Sequence, residues 1–425
     1  MLLPSMTAVD EVRIPSAELV SCFEVVDRRG GKIAHVSDSQ HTSGPGRGSV
    51  IVAHPGAELY GSDRVLLDSV IGLVAEFSRV LVALPHDGPL AAELRAVGAH
   101  VVIAPAFVLR KRLMKPRGWG ELISTAWRGG RAARRLLRAE RPDAVYVSTI
   151  TLPLWPLLAR LRRLPVVLHV HEGEASASTL VKKVLYAPAL LARTVLVNSA
   201  FSLGVMTSAY RRLASRSTVV LNAVPGPVDP TPPRSTLDGP LRVLFVGRLS
   251  PRKGADLAIT AVERLRERGT AATLDIAGSV FEGYEPYEES LHAAVAATDL
   301  RDAVTFHGFQ NEIWALLDRS DVLVVPSRLD EPFGNTAVEG VLAGRPVVVS
   351  DTSGLREATA GIPSAIRVEP DSAASLADGL ATVVERWPEM AVAAADSRRI
   401  AGERHSRETF QQTVADAVVA LTLPR

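Results

Sequence analysis

Two glutamates eight residues apart, Glu331 and Glu339, are the side chains of this chain best placed to do chemistry. The apolar residues 322–326 before them predict a buried strand, and the residues from Thr336 to Ala343 predict a short helix. Glu331 then lies at the carboxyl end of a strand, where ligands of open α/β sheets bind. Two carboxylates can accept hydrogen bonds from hydroxyls, and the free N–H groups of the helix start suit a phosphate.

A second segment that suits an anion follows the apolar residues 241–246. Gly247 allows close backbone approach, Arg248 can hold a phosphate through two N–H groups, and Lys253 adds a positive charge. A helix is predicted from Ala255 to about residue 268. Together these residues could hold a diphosphate. The alternative is a basic surface loop with both cations solvated, but two such loops in one half of the chain favour a ligand site.

The first predicted strand, from Val50 to Ala53, leads into a loop that contains Gly56 and Gly61. Both glycines leave room for a ligand, and Ser62 or the aspartate after it can cap the following helix. A purely structural turn is the alternative. The position beside a helix start at a strand end favours the ligand, with Tyr60 as a candidate on the acceptor side.

The order Gly247-Arg248-Leu249, Lys253-Gly254, Glu331-Pro332-Phe333-Gly334 and Glu339 resembles the retaining glycosyltransferases of family 4. The likeness covers about residues 49–425. That family has the GT-B fold, an α/β architecture of two Rossmann-like, doubly wound parallel-sheet domains that face each other across a cleft. The resemblance therefore implies this fold for the chain.

The resemblance also implies roles for individual residues. Arg248 and Lys253 would bind the donor diphosphate, and Glu331 would contact the sugar hydroxyls. The ribose would bind Glu339. The further donor-binding candidates are Gly61, Ser62, Gly247, Phe333, Gly334, Asn335, Thr336 and, beside the base, Gln310. No Asp-x-Asp occurs in the chain, which fits GT-B enzymes, so we expect no metal and no cofactor beside a nucleoside-diphosphate sugar, UDP- or GDP-linked.

His169, His171 and Glu172 end another predicted strand, Val166 to Val170. Alternation along a strand places the two histidines on one face, and His171 lies nearer the carboxyl end. The resemblance implies a catalytic contact of His171 with the donor sugar. A metal pair is the alternative, but no third ligand follows at a convincing spacing. Glu172 could be a neighbouring acid, a capping carboxylate or a residue that tunes sugar choice, so it is a second acceptor-side candidate.

Strand and helix patterns alternate in two series, as in parallel sheets covered by helices on both faces. We predict an N-terminal extension 1–48, a first Rossmann-like domain 49–223 for the acceptor, a Pro-rich linker 224–240, a second Rossmann-like domain 241–398 for the donor nucleotide, and a C-terminal helix 399–425. In the GT-B fold the last helix crosses back onto the first domain, and the resemblance implies the same here. The extension could be ordered, flexible or the product of a start codon placed too far upstream.

Charge is divided unevenly between the two series. Residues 49–222 carry 23 Lys and Arg against 11 Asp and Glu, whereas residues 241–425 carry 19 against 27. The basic residues include a loop cluster and a helical one, namely Arg110, Lys111, Arg112, Lys115 and Arg117, then Arg128, Arg131, Arg135 and Arg138. Such clusters suit anionic lipid headgroups. A solvated face is the alternative, and nucleic acid is disfavoured because no aromatic interleaving or known motif accompanies the charge.

Composition is that of an ordinary globular protein, with 47% hydrophobic and 22% charged residues in 425. The single cysteine, Cys22, excludes an intramolecular disulfide and fits a reducing compartment. No secretory signal or membrane span is predicted. We expect a cytoplasmic enzyme, at the inner face of the membrane if the basic half docks there.

The sequence therefore predicts a retaining glycosyltransferase that acts on a saccharide, lipid-linked or small-molecule acceptor. A sugar-nucleotide epimerase or a phosphorylase on a similar fold would also use Arg, Lys and paired Glu, and a non-catalytic sugar-nucleotide-binding protein is a third class. The sugar, the base, the acceptor and the oligomeric state depend on geometry that local pattern does not encode.

Overall fold

The computed structural model describes residues 46–109, 119–281 and 283–423. The first series of elements forms one parallel sheet with the strand order β3-β2-β1-β4-β5-β6-β7. The elements are β1 (Arg47–Ala53), α1 (Gly61–Glu76), β2 (Phe77–Leu84), α2 (Pro89–Ala96), β3 (His100–Ile103), α3 (Trp119–Ala139), β4 (Ala144–Val147), α4 (Leu154–Leu161), β5 (Val166–Val170), α5 (Thr179–Tyr186), β6 (Thr194–Val197), α6 (Ala200–Ala209) and β7 (Ser217–Val219), with 3-10 helices at Ala187–Leu191 and Arg211–Arg216.

The second series forms another parallel sheet, with the strand order β10-β9-β8-β11-β12-β13. Its elements are β8 (Leu241–Val246), α7 (Ala255–Glu267), β9 (Ala272–Ala277), α8 (Glu285–Ala296), β10 (Val304–Gly308), α9 (Trp314–Arg319), β11 (Val322–Val325), α10 (Asn335–Leu342), β12 (Val347–Ser350), α11 (Ser353–Ala358), β13 (Ala365–Val368), α12 (Ala373–Glu385), α13 (Trp387–Arg404) and α14 (Arg407–Thr422). The predicted class, two Rossmann-like parallel-sheet domains, is confirmed.

The strands are apolar because helices cover both faces of each sheet. In β4, for example, Ala144 and Tyr146 pack with α1, α2 and α14, whereas Val145 and Val147 pack with α3, α4 and α6. All four residues are fully buried. Local pattern alone predicts such strands well, because a strand covered on both faces has apolar residues at successive positions.

The C-terminal helical stretch differs from the prediction of one helix from Arg399 to Leu421. Two helices are present, α13 and α14, and they separate at His405 and Ser406. The Ser406 hydroxyl accepts a hydrogen bond from the N–H of Thr409, 3.2 Å away, and so caps α14. His405, at the turn, is buried, and its Nδ1 lies 3.2 Å from the Asn222 carbonyl oxygen. This contact holds the turn in place.

Helix α14 packs on the first sheet, against α1. Gly72 of α1 permits the contact, because a Cβ there would lie 2.3 Å from the carbonyl oxygen of Gln411. The Asp68 carboxylate accepts hydrogen bonds from the side chains of Arg407 at 2.8 Å and Gln411 at 3.0 Å. The last helix therefore stabilises the first domain, while α13 packs against α10 of the second.

The Pro-rich residues 224–240 contain no helix or strand. They are nevertheless held in place, because Arg234 donates two hydrogen bonds to the buried Asp321, and its carbonyl oxygen accepts one from the Trp387 indole. The domain boundaries themselves remain predictions. The predicted basic loop from Arg110 to Arg117 and nearly all of residues 1–48 lie outside the described residues.

Candidate active site

The strand order of each sheet reverses once, between β1 and β4 in the first sheet and between β8 and β11 in the second. In open parallel sheets the loops at the carboxyl ends of these strands diverge and leave a crevice for a ligand. Here the loops are residues 54–60, 148–153, 247–254 and 326–334. Most of the residues predicted from sequence to be functional lie in or next to these four loops.

Glu331 is buried and already paired with cations. Its Oε1 accepts hydrogen bonds from Lys253 Nζ and from Ser327 Oγ, each at 2.8 Å, and Arg252 Nη2 lies 4.0 Å from its Oε2. Burial alone would raise the pKa of this carboxyl group, but the charges of Lys253 and Arg252 hold the pKa below its ordinary value. Glu331 is therefore a charged, immobilised acceptor that suits the hydroxyl groups of a ligand.

The loop after β8 is pinned to the loop after β11. Gly254 starts α7 with a φ of +75°, and a Cβ there would lie 2.2 Å from the Pro326 carbonyl oxygen. Only glycine fits this position, and the close approach brings Lys253 to Glu331. Arg248 follows β8 with an exposed side chain, and its guanidinium carbon lies 3.5 Å from the ring centroid of Phe281.

Helix α10 begins at Asn335, one residue before the predicted start. Gly334 makes the turn with a φ of +123°, and Asn335 and Thr336 then present N–H groups that no helical bond uses. Glu339 lies one turn further on, half-buried. Burial raises the pKa of the Glu339 carboxyl group, while the charges of Arg64 and Lys253 oppose the rise.

Asn335 also connects the two domains. Its Oδ1 accepts a hydrogen bond from the Asn222 amide at 3.0 Å, and its Nδ2 lies 3.2 Å from the position of a Cβ on Gly61. The predicted donor-binding residues Gly61 and Asn335 are thus brought face to face. Arg64, one turn into α1, donates a hydrogen bond to the carbonyl oxygen of Asn311 in the second domain at 2.7 Å.

The first loop is held by a buried network that the sequence did not reveal. His54 lies between Ser148, whose Oγ is 2.6 Å from Nδ1, and Asp63, whose Oδ1 is 2.8 Å from Nε2. The other Asp63 oxygen accepts the backbone N–H of Tyr60 at 2.9 Å. Helix α1 consequently begins at Gly61 with Tyr60 as its N-cap, and Ser62 is an exposed residue of the first turn rather than a cap.

Tyr60 reaches across to the second domain. Its ring makes edge contacts with Phe281 and Phe309, both with centroids 5.8 Å away. Gln310 follows with an exposed side chain, and its amide donates to the carbonyl oxygen of His307 at 2.8 Å. The three rings therefore mark the edge of the cleft between the loops after β1, β9 and β10.

The histidine pair at the carboxyl end of β5 divides into a buried and a half-buried member. His169 is fully buried, with its Nδ1 2.6 Å from the Tyr146 hydroxyl, and its ring centroid lies 4.0 Å from that of His171. Burial, and secondarily His54, lower the pKa of His171 to about 3. Burial therefore favours the neutral form of His171, which can donate or accept a hydrogen bond.

Glu172 turns back into its own domain. Its carboxylate accepts hydrogen bonds from the Thr149 hydroxyl and from the His171 backbone N–H, the latter at 3.0 Å. Burial raises the pKa of this carboxyl group, and these hydrogen bonds oppose the rise. These contacts join the loop after β4 to the end of β5, and the acceptor-side role of Glu172 stays a prediction.

One predicted donor-binding side chain is placed elsewhere. The Phe333 ring is 3% exposed, lies in the core of the second domain and contacts the His405 ring edge-on with centroids 5.4 Å apart. The ring therefore anchors the loop that carries Glu331, and donor binding by Phe333 stays a prediction. Sequence pattern does not reveal the orientation of the ring, because it does not say which side of a loop faces the core.

Two further observations concern metals and membranes. Within the described ranges, no group of three or more His, Cys, Asp or Glu side chains could hold a metal ion. Across the same residues, no helix has the length and apolar character needed to cross a membrane.

Two family models match the chain. The model described as glycosyltransferase family 4 matches residues 60–225, and glycosyl transferases group 1 matches residues 232–399. Glycogen synthase of Mycobacterium tuberculosis is 30% identical over 298 residues, which cover 67% of this chain and 70% of that protein. The 2-deoxystreptamine glucosyltransferase of Streptomyces kanamyceticus is 34% identical over 143 residues, 33% of this chain and 35% of the relative.

A solved structure has the same fold. Anabaena HepE, crystallised with UDP and glucose, superposes with a TM-score of 0.73 at 22% identity, over 88% of this chain and all of that one.

Proposed function

This chain belongs to glycosyltransferase family 4, the glycosyl transferases group 1, and we propose that it transfers a sugar from a nucleoside-diphosphate sugar with retention of the anomeric configuration. The observation that carries the proposal is the convergence of Glu331 and Lys253, whose charged groups lie 2.8 Å apart, beside the start of α10 at a switch point. Such a site offers an anion acceptor for hydroxyls and cations for a diphosphate.

The proposed transition state is oxocarbenium-like, with negative charge growing on the departing diphosphate. Arg248, Lys253 and the N–H groups of Asn335 and Thr336 would stabilise that charge. Glu331 would hold sugar hydroxyls and Glu339 the ribose. Neutral His171 would contact the sugar from the first domain, since a cation there would oppose the positive charge that develops on the ring.

Candidates for the donor nucleotide and for the acceptor come from a similar solved structure and from the residues of the site. UDP is the first candidate because Anabaena HepE was solved with UDP and glucose, and GDP is the second. The acceptor would be a saccharide, a lipid-linked saccharide or a small molecule, presented by the first domain beside Tyr60. For a lipid-linked acceptor, the enzyme would work from the cytoplasmic side of the membrane without spanning it.

Substitution of the two cations tests this proposal. We expect Arg248→Ala and Lys253→Ala to lower single-turnover transfer about 10²- to 10³-fold at saturating donor, and to lower donor affinity less, because the charge they meet grows in the transition state. Calorimetry measures affinity after a thermal-shift screen has identified the donor. Arg264→Ala, an exposed arginine on α7, is the matched control. Near-normal turnover in both variants would refute the diphosphate site.

The same assay separates the alternatives. Acceptor-dependent release of nucleoside diphosphate supports transfer, whereas phosphorolysis of the product without nucleotide would support a phosphorylase. Conversion of the donor into another sugar nucleotide without acceptor would support an epimerase. Donor binding without product from any acceptor would support a non-catalytic role. NMR of the anomeric proton in the product decides between retention and inversion.

A further inference from the structure

The first domain has a second concave surface, a groove between α3 and α4 on the sheet face opposite α1 and α14. Its volume is about 530 Å³. The floor is formed by leucines of α4, and the α3 wall carries Trp127 and four arginines, Arg131, Arg134, Arg135 and Arg138. None of these residues takes part in the candidate active site.

Large apolar side chains stand exposed on the two helices that form the groove. On α3, Ile123 and Trp127 are 67% and 66% exposed, and on α4, Leu157 and Leu161 are 41% and 69% exposed. Each pair is spaced by four residues, so its members share one helical face. Single exposed hydrophobic residues are ordinary, but four on adjacent helices form a patch that needs a partner.

The charge of the groove has one sign. The four arginines are exposed, and among the residues that the structure describes none of them forms an ion pair with a carboxylate. Arg131 lies over the Trp127 ring, with its guanidinium carbon 5.7 Å from the centroid. The groove therefore offers positive charge and apolar surface side by side.

We propose that this groove, the α3–α4 surface, docks the enzyme on an anionic phospholipid bilayer. Phospholipid phosphates match the exposed arginines, and Trp and Leu side chains can enter the boundary between headgroups and acyl chains. A second copy of the chain would bring the same exposed arginines together. Nucleic acid would meet the arginines but leave the leucines and Ile123 in water.

The position of the groove suits a membrane-bound acceptor. Helix α4 follows β4 through residues 148–153, so it begins at the carboxyl edge of the first sheet, the edge with the candidate site. One end of the α3–α4 surface thus lies at the acceptor side of the cleft. The inference rests on surface chemistry and not on the proposed transfer reaction.

Vesicle binding by the full chain tests the proposal. We expect co-sedimentation with phosphatidylglycerol-containing vesicles and little with pure phosphatidylcholine. Replacement of Arg131, Arg134 and Arg135 by Gln should lower the partition coefficient about 100-fold, since each charge near an anionic surface contributes about 5-fold. The matched control replaces Arg193, Arg211 and Arg212, three exposed arginines of the same domain, by Gln and should bind as the unaltered protein does.

Trp127 supplies a second measurement that needs no charge change. Its emission, obtained by subtracting the spectrum of Trp127→Phe, should shift to the blue with anionic vesicles and be quenched by brominated lipids. Absence of binding by the unaltered protein, equal loss in both triple variants, or unchanged Trp127 emission would overturn the proposal. So would loss of duplex DNA binding in the groove variant while vesicle binding persists. The affinity of the unaltered protein for the sugar-nucleotide donor is measured in parallel. Failure of the membrane proposal can then be distinguished from failure of the proposed transfer reaction.

Discussion

At the scale of single residues, the two glutamates of the candidate site differ in whether a cation lies beside the carboxyl group. Glu331 lies against Lys253 and Arg252, so its pKa is lowered and it stays charged. Glu339 has no hydrogen-bonded cation in the described chain, and burial raises its pKa. The first is therefore a fixed anion, whereas the second keeps a carboxylate free to accept a hydrogen bond, as the proposed ribose contact requires.

Glu339→Ala tests that assignment. A ribose hydroxyl would lose a charged acceptor, so nucleoside-diphosphate affinity should fall by about 1.5 to 3 kcal/mol, or roughly 10- to 150-fold. Calorimetric titration with the diphosphate alone measures the effect without chemistry. Glu289→Ala, which removes an exposed carboxylate from α8, is the control, and equal affinity in both variants would place Glu339 outside the site.

At the scale of elements, close backbone contacts decide which helices can meet. The contact of α1 with α14 depends on a missing side chain at Gly72, and that of the loops after β8 and β11 depends on Gly254. Neither requirement shows in the apolar pattern of the helices. Such contacts hold the C-terminal helix on the first domain and Lys253 on Glu331.

Two glycine substitutions should shift stability in opposite directions. Gly72→Ala places a Cβ 2.3 Å from the Gln411 carbonyl oxygen and should destabilise the protein by about 1 to 3 kcal/mol, because α14 must move. Gly204→Ala lies in α6 with nothing within 4 Å of the new Cβ and should stabilise by about 0.5 to 1 kcal/mol. Thermal melting of both variants measures this, and a shift of the same sign would contradict the packing argument.

At the scale of the whole molecule, direct contacts span the cleft without any ligand. The Ser199 hydroxyl donates to the Pro332 carbonyl oxygen at 2.5 Å, and the Glu357 carboxylate accepts the N–H groups of Ala200 and Phe201 at 2.8 and 3.3 Å. A carboxylate at the start of α6 also meets the positive end of the helix dipole. The two domains are thus joined beside the site by hydrogen bonds whose donors lie in the first domain and whose acceptors lie in the second.

Three histidines, two of them buried and one half-buried, make the fold sensitive to acid. Burial lowers the pKa of His405 to about 4, that of His171 to about 3, and that of His169 well below its ordinary 6.5. Below pH 6.5 the unfolded chain therefore binds more protons than the folded one, and stability falls as pH falls. Each histidine lowers the free energy of unfolding by up to about 1.4 kcal/mol per pH unit below pH 6.5. The raised pKa values of Glu172 and Glu339 act in the opposite sense.

His405→Gln isolates one of these contributions. The amide can still meet the Asn222 carbonyl oxygen, and the melting temperature should depend less on pH between 6.5 and 5 than in the unaltered protein. His100→Gln, at an exposed position in β3, is the control substitution. An identical slope for His405→Gln and the unaltered protein would mean that folding does not lower the pKa of His405.

Local pattern determined much of this protein. Apolar runs, glycines and helix starts predict the buried strands and the loops that follow β8 and β11, because these features act over a few residues. They also predict the positions of Glu331, Glu339, Arg248 and Lys253 relative to these strands and loops. The family resemblance rests on the same residues, and the matching family models and the fold agree with it.

Tertiary structure decided what depends on distant parts of the chain. The Phe333 ring faces the core because His405, more than seventy residues away, covers it. Burial among other side chains sets the pKa of His171, and the turn between α13 and α14 forms where His405 packs between domains. These outcomes arise from which surfaces meet, and an amino-acid pattern read along one segment does not contain the identity of the surface that will lie against it.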